Sequence, residues 1–101
     1  MRIIVFFDLP VATIKDRREY SRFRRFLIKS GFIMLQESVY CKLAQNQSVV
    51  ESVSESIRKN KPPKGIVQTL VITEKQYSRM EFIIGSGNSD IISSDRRFVE
   101  L

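Results

Sequence analysis

The spacing of apolar residues predicts that the chain opens with a buried strand followed by a long helix. Residues 2–8 are a continuous β-branched and aromatic run, which is typical of a strand buried on both faces. Pro10 ends this strand because proline cannot donate a hydrogen bond to the ladder. Thr13 can then cap a helix over about residues 14–30, and Gly31 is placed to end it. The apolar stripe of that helix consists of Tyr20, Phe23 and Leu27.

The middle of the chain predicts two further strands, a second helix and a loop. We expect residues 32–43 to be extended and to break near residues 37–38 into two antiparallel strands, or to form one strand with a bulge. Asn46 can cap a helix that extends to about Lys59. Two adjacent prolines make residues 61–65 a loop. The buried face of the second helix is predicted to consist of Val49, Val50, Val53 and Ile57.

The last third predicts a strand over residues 66–73, a short turn or helix over 74–79, a strand over 80–84 and an extended end over 97–101. The order β-α-β-β-α-β with an additional C-terminal strand is that of an α+β, ferredoxin-like fold. Residues 1–101 therefore make one domain, in which 85–101 form a C-terminal extension that contacts a partner. Because the helices of such a fold leave one sheet face bare and the first strand is apolar on both sides, we expect a homodimer.

The chain is basic, and its positive charge is concentrated in the first third. It carries 17 Lys+Arg against 11 Asp+Glu, a net charge of +6. Residues 1–30 hold eight basic and three acidic side chains, whereas residues 66–101 hold four basic and five acidic ones. Solubility alone explains a charge of this size in many small domains. The unequal distribution instead favours a polyanionic partner.

The first predicted helix carries a basic row on the side opposite its apolar stripe. Spacings of three and four residues place the row within roughly 80° of the helix circumference. Successive turns about 5.4 Å apart let such side chains reach successive phosphates of one strand. The alternative is an ordinary solvated face, although such faces usually interleave acids with bases. The row consists of Lys15, Arg18, Arg22, Arg25 and Lys29, flanked by Arg17 and Arg24.

The residue types limit the catalytic chemistry. With one cysteine, Cys41, and no histidine, the chain has no internal disulfide, Cys/His zinc site or histidine-dependent triad. Asp8 is the candidate Mg²⁺ ligand, because a carboxylate ending an apolar strand is costly to desolvate unless it is paired or metal-bound. The alternative is that Asp8 caps the turn after Pro10. One carboxylate makes a poor Mg²⁺ site, and two Asp8 side chains meeting at a dimer axis would make a better one.

The end of the chain is a candidate surface for a partner. Its alternating pattern could close the sheet of the same chain or add a strand to another chain. No apolar stretch approaches the ~20 residues of a membrane span, and the lack of disulfides fits a cytoplasmic location. The candidate partner-binding residues are Arg97, Phe98, Val99 and Leu101.

Several short segments, taken in order, resemble the Cas-two (Cas2) family of CRISPR adaptation proteins. The resemblance covers essentially the whole chain and is greatest to members from type II systems. No segment is specific alone, but their order and spacing in a chain of this length are. The segments are FDLP (7–10), DRREY (16–20), FRRFL (23–27), GFIM (31–34), QESVY (36–40) and VITEKQY (71–77).

The resemblance implies a ferredoxin-like homodimer held between two dimers of the Cas-one integrase in the prokaryotic cytoplasm. In that complex the small dimer bridges the integrase pairs and supports the double-stranded protospacer DNA, while the integrase carries out strand transfer. We therefore expect a non-catalytic, DNA-binding subunit of spacer acquisition, a step of antiviral defence. By this resemblance the C-terminal residues named above meet the integrase, and the phosphate contacts are Lys15, Arg17, Arg18, Arg22 and Arg25.

The resemblance also leaves an enzymatic alternative open. Some family members are described as metal-dependent ribonucleases or deoxyribonucleases, with the aspartate that ends the first strand as metal ligand. Asp8 holds that position. The alternative is therefore a Mg²⁺-dependent endonuclease that uses Asp8 of both protomers. A third hypothesis, a generic RNA-binding ferredoxin-like module, would require exposed aromatic side chains on which bases stack.

Overall fold

The computed structural model of the chain describes residues 1–85. The predicted β-α-β-β-α-β order is confirmed, and a short helix follows it. The elements are β1 (Arg2–Asp8), α1 (Ile14–Lys29), β2 (Ile33–Gln36), β3 (Val39–Leu43), α2 (Gln47–Lys59), β4 (Ile66–Ile72) and α3 (Glu74–Ser78).

The four strands form one antiparallel sheet in the order β2-β3-β1-β4. This order, with two crossing helices, is the ferredoxin-like arrangement. The predicted break between β2 and β3 is confirmed, since Glu37 and Ser38 form the turn. The strand pair is also irregular, with a register shift between Met34 and Gln36.

The two long helices begin and end where the sequence places their caps. The Thr13 hydroxyl accepts from the backbone N–H of Asp16 at 3.0 Å, and the Asp16 carboxylate accepts from the Thr13 N–H at 3.3 Å. Asn46 accepts from the N–H of Val49 at 3.0 Å at the start of α2. Gly31 follows α1 with φ of 95°, a conformation that favours glycine. Among residues 1–85, no helix is long and apolar enough to cross a membrane.

The core lies between α1, α2 and one face of the sheet. Phe7 of β1 is at its centre, with ring centroids of Tyr20, Phe23 and Tyr40 at 5.7, 5.3 and 5.7 Å. The predicted helix stripes are confirmed, because Phe23 and Leu27 of α1 and Val50 and Ile57 of α2 are buried, with their predicted neighbours partly buried against them. Both helices therefore cover the same face of the sheet.

The opposite, outer face of the sheet is only partly covered. Alternation along β1 turns Ile3, Val5 and Phe7 toward the helices and Arg2, Ile4, Phe6 and Asp8 outward. The prediction that β1 is buried on both faces holds at Ile4, which is 4% exposed, but is wrong in the single chain at Phe6, which is 37% exposed. Other exposed apolar residues whose register places them on this face are Ile33, Leu43, Ile66 and Leu70.

The predicted strand over residues 80–84 is wrong. These residues form irregular structure and a bend, and Phe82, Ile83 and Ile84 are 59%, 81% and 92% exposed. The apolar pattern indicated a strand, but extended backbone needs a neighbouring strand to pair its N–H and C=O groups. Within residues 1–85, no strand pairs with this segment. The remaining C-terminal predictions, the extension over 85–101 beyond Gly85 and the extended end, lie outside the described residues.

Candidate nucleic-acid interface

The basic row lies along the solvent side of α1. The helix turns Phe23 and Leu27 into the core, so the residues offset from them by about half a turn face outward. Asp16 is occupied by the capping box, and Glu19 lies 2.8 Å from the guanidinium of Arg22. The two acids of this helix are therefore already engaged. The exposed members of the row are Lys15, Arg18, Arg25 and Lys29.

Two arginines of the predicted DNA-binding set are instead bonded to the protein backbone. Arg17 donates from Nη1 to the carbonyls of Val11 and Ala12 at 3.0 and 3.4 Å, which ties α1 to the segment before it. Arg22 donates to the carbonyls of Asn60 and Lys61 at 3.2 and 3.4 Å. Both guanidiniums therefore have a structural role in the folded chain.

The other members of the predicted set are available to an external anion. In the part of the chain that the structure describes, the side chains of Lys15, Arg18 and Arg25 form no hydrogen bond or ion pair with other residues. They are exposed on one side of a helix whose opposite side is packed. Of the five predicted phosphate contacts, these three have the geometry of an open anion-binding surface.

Asp8 lies at the end of β1 on the outer face, opposite Ile66 of β4. It is exposed, and within residues 1–85 its carboxylate accepts no hydrogen bond, so the structure does not provide the turn cap that was the alternative for this residue. No group of three or more His, Cys, Asp or Glu side chains able to hold a metal occurs among those residues. One chain therefore does not supply a fitting Mg²⁺ site in its described part, and further ligands would have to come from a second chain.

The other end of β1 carries a cluster around Arg2 that holds α3 on the sheet. Arg2 pairs with Glu74 at 2.9 Å, lies 4.2 Å from the ring centroid of Tyr77 and donates to the Cys41 sulfur at 3.9 Å. Burial raises the pKa of the Cys41 thiol, and the nearby guanidinium opposes this only in part. Cys41 is thus a buried neutral thiol, not an activated nucleophile.

A comparison with known families decides which family has this fold and this sequence. The profile of the CRISPR associated protein Cas2 family matches residues 1–80, which spans every described strand and helix. The chain belongs to the Cas2 family. The resemblance found in the sequence is confirmed.

Similar proteins agree over the full length of the chain. The CRISPR-associated endoribonuclease Cas2 of Treponema denticola is 55% identical over 101 residues, which is all of both chains. The protein of the same name from Lacticaseibacillus rhamnosus is 50% identical over 99 residues, 98% of each chain. That from Streptococcus mutans strain UA159 is 43% identical over 101 residues, all of this chain and 93% of the relative.

Sequence reasoning missed one basic segment of this Cas2 chain, the loop after α2. Lys64 lies with its Nζ 3.8 Å from Asp16 at the start of α1, so the loop adjoins the basic row. A signal was present, because no acidic residue occurs between Glu55 and Glu74. The basic residues in that interval are Arg58, Lys59, Lys61 and Lys64. The predicted partner-binding residues Arg97, Phe98, Val99 and Leu101 lie outside the described residues.

Proposed function

We propose that this chain is an architectural, DNA-binding subunit of the CRISPR adaptation complex. A homodimer bridges two dimers of the Cas-one integrase and supports the middle of the protospacer duplex in the prokaryotic cytoplasm. The observation that carries the proposal is the open side of α1, where Lys15, Arg18 and Arg25 are exposed without a protein partner among the described residues. Fixed positive charges one helical turn apart match the phosphates of a nucleic-acid backbone.

The contact involves the DNA backbone and not the bases. Lysine and arginine side chains on the solvent side of a packed helix can neutralise phosphates without entering a groove. The described part of the chain contains no helix-turn-helix or zinc finger that would place a helix among base edges. A subunit that supports DNA of any sequence fits this arrangement.

The bare outer face supports the homodimer. Phe6 of β1 and Leu70 of β4 are 37% and 50% exposed on the side of the sheet that carries neither α1 nor α2. Exposed apolar residues that are contiguous on one sheet are typical of an interface. A second copy that covers this face would place the α1 helices of the two protomers on opposite outer sides of the dimer, which extends the positive surface.

Duplex binding by variants of the basic row tests the proposal. The double variant Arg18→Glu/Arg25→Glu should lose binding to a random-sequence DNA duplex at physiological salt, because two positive charges become negative at the proposed phosphate contacts. The matched control Lys59→Glu/Lys75→Glu reverses two exposed charges on α2 and α3 and should retain more binding. A folded Arg18→Glu/Arg25→Glu dimer that binds as tightly as wild type would contradict the proposal.

RNA cleavage is the second candidate, and the names of the relatives favour it. The proteins from Treponema denticola and Lacticaseibacillus rhamnosus are called endoribonucleases. Asp8 is exposed on the outer face, so a homodimer formed through that face would bring two Asp8 carboxylates to one shared surface. Highly purified protein would then cleave RNA in the presence of Mg²⁺, and both a chelator and Asp8→Ala would abolish the cleavage. Cleavage that persists in Asp8→Ala would exclude this candidate.

A further inference from the structure

The loop between α2 and β4, residues 60–65, is fastened to the start of α1 at several points. Arg22 of α1 donates one hydrogen bond to the carbonyl of Asn60 and one to that of Lys61, at 3.2 and 3.4 Å. At the other end of the loop, Gly65 packs so closely that a Cβ there would lie 2.6 Å from the Asp8 carbonyl oxygen. Two prolines between these points restrict the backbone further, and Pro62 is buried. The loop therefore has a fixed position beside the basic row.

The charge of this loop is not explained by the fold. Arg58 and Lys59 stand in the last turn of α2, where positive charge stabilises the helix dipole. Lys61 and Lys64 lie beyond that turn and are exposed. Lys64 approaches Asp16 at 3.8 Å, but its side chain remains 72% exposed, and such an ion pair contributes little to stability. The two lysines are thus positive charges that the protein holds at its surface without using them.

The loop and the row share a surface. Lys15 of α1 and Lys64 of the loop line the same depression of about 90 Å³ beside the start of the helix. Lys61 and Arg58 line a second depression of about 180 Å³ next to β4. Positive side chains therefore continue from α1 across the loop to the end of α2.

We propose that residues Lys61 and Lys64 form a second phosphate-binding segment next to the basic row, and that Arg22 is the positioning residue that holds this segment in place. The ligand is the sugar–phosphate backbone of duplex DNA. The inference rests on the proposed DNA-binding function and extends it from one helix to two adjacent elements. It also reassigns Arg22, whose guanidinium is bonded to the loop carbonyls and to Glu19, from contacting phosphate to placing the residues that do.

Salt-dependent binding to a random-sequence DNA duplex tests the segment. The full-length variants Lys61→Gln and Lys64→Gln each remove one positive charge, and Lys75→Gln on α3 is the charge-matched control. Removal of one phosphate contact lowers the slope of log Kobs against log salt by about 0.9, and hence by about 1.8 when both copies in a dimer are altered. We expect this change in Lys61→Gln and Lys64→Gln and none in Lys75→Gln.

The positioning role of Arg22 is tested by a variant that keeps its charge. A lysine ammonium cannot donate the two bonds of a guanidinium fork, so Arg22→Lys should release the loop and weaken binding, with faster amide exchange over residues 61–65. In that background Lys61→Gln should have less effect than in wild type, because contacts that act together are not additive. An Arg22→Lys variant with wild-type slope, together with an undiminished effect of Lys61→Gln, would show that Arg22 acts as a charge and not as a positioning residue.

The outcomes separate the two proposals. If wild-type protein binds duplex DNA and Arg18→Glu/Arg25→Glu abolishes this binding, while Lys61→Gln and Lys64→Gln retain the wild-type slope, the second segment is wrong and the proposed function stands. If wild-type protein does not bind duplex DNA at low salt, both proposals are overturned. A slope reduced equally in Lys75→Gln would show a general charge effect and would also overturn the second segment.

Discussion

The guanidinium of Arg2 lies 4.2 Å from the ring centroid of Tyr77, so the second residue of the chain stacks on the last described helix. The same guanidinium pairs with Glu74 at 2.9 Å, and the amino group of Met1 lies 3.9 Å from that carboxylate. These contacts fix α3 on the outer face at the end of β1 remote from Asp8. They also fix where the chain leaves the domain toward its C-terminal segment.

Removing the charge of Glu74 should loosen α3 without unfolding the domain. In Glu74→Gln the pair with Arg2 becomes a neutral contact, and because Glu74 is half-exposed the loss of stability should be below about 1 kcal/mol. Amide exchange over residues 74–79 should nevertheless be faster, since Arg2 is the main anchor of this helix. Glu55→Gln, which removes an exposed pair with Arg58 at 2.9 Å, is the control and should leave exchange in α3 unchanged. Equal protection of α3 in Glu74→Gln and wild type would contradict the anchoring role.

The buried thiol of Cys41 predicts a loss of stability at alkaline pH. Burial raises the pKa of Cys41 in the folded chain, so its thiol keeps its proton to a higher pH than in the unfolded chain. The contribution to stability is full below the ordinary thiol pKa of about 8.5 and is lost as the pH rises through the folded pKa. Tyr77, whose pKa is also raised by burial, adds to this only above its ordinary value of about 10.

Urea unfolding from pH ~7 to pH ~9.5 measures this effect, because the window contains the thiol and lies below the ordinary pKa of tyrosine. The free energy of unfolding of wild type should fall with pH relative to that of Cys41→Val, which has no thiol to ionise. Parallel curves for the two proteins would show that Cys41 does not contribute.

Local signals predicted more of this fold than distant ones. The caps of α1 and α2, the turn at Glu37–Ser38 and Gly31 each depend on neighbouring residues, and each is found where the sequence places it. The basic row on α1 follows from helical spacing alone. By contrast, the bonds from Arg22 to the loop span 38 and 39 residues, and the pair of Arg2 with Glu74 spans 72. No periodicity shows such contacts, because they depend on how the elements pack.

The strand predicted over residues 80–84 failed for the same reason. An apolar run indicates that a segment can be buried, whereas a strand also requires a neighbour with which to pair. Asp8 shows a related limit, since the sequence shows that it ends β1 but not that it lies exposed on the outer face.

Gly65 should be the glycine least tolerant of a side chain. Its φ is 96°, and a Cβ would lie 2.6 Å from the Asp8 carbonyl oxygen and 3.1 Å from the Leu9 Cα. Gly31 has nearly the same φ, 95°, but its nearest neighbour would be the flexible end of Lys42. Both alanine variants should lose roughly 1–2 kcal/mol from the left-handed backbone, and Gly65→Ala should lose more because backbone must also move. Thermal or urea unfolding that gives equal losses would contradict the close packing at Gly65.

A charge placed on the outer face should separate the homodimer. Leu70 is 50% exposed there, and Leu70→Glu would bury a carboxylate in the proposed interface, which is strongly unfavourable. Ile14→Glu is the control, because Ile14 is 63% exposed at the start of α1, away from this face. Sedimentation velocity should show a dimer for wild type and Ile14→Glu and a monomer for Leu70→Glu, with circular dichroism to verify folding. A dimeric Leu70→Glu would place the interface elsewhere.

Spacer integration in vitro with the purified Cas-one integrase tests the central claim most directly, by comparing wild type with Asp8→Ala. Asp8 is exposed, and no metal-binding group of three or more ligands occurs within residues 1–85, so an architectural subunit should not need its carboxylate. Circular dichroism, sedimentation and duplex binding first verify that Asp8→Ala is folded, dimeric and able to bind DNA. Integration equal to that of wild type is the predicted result. Loss of integration with folding, dimerisation and DNA binding intact would contradict the architectural role and assign Asp8 to the chemistry.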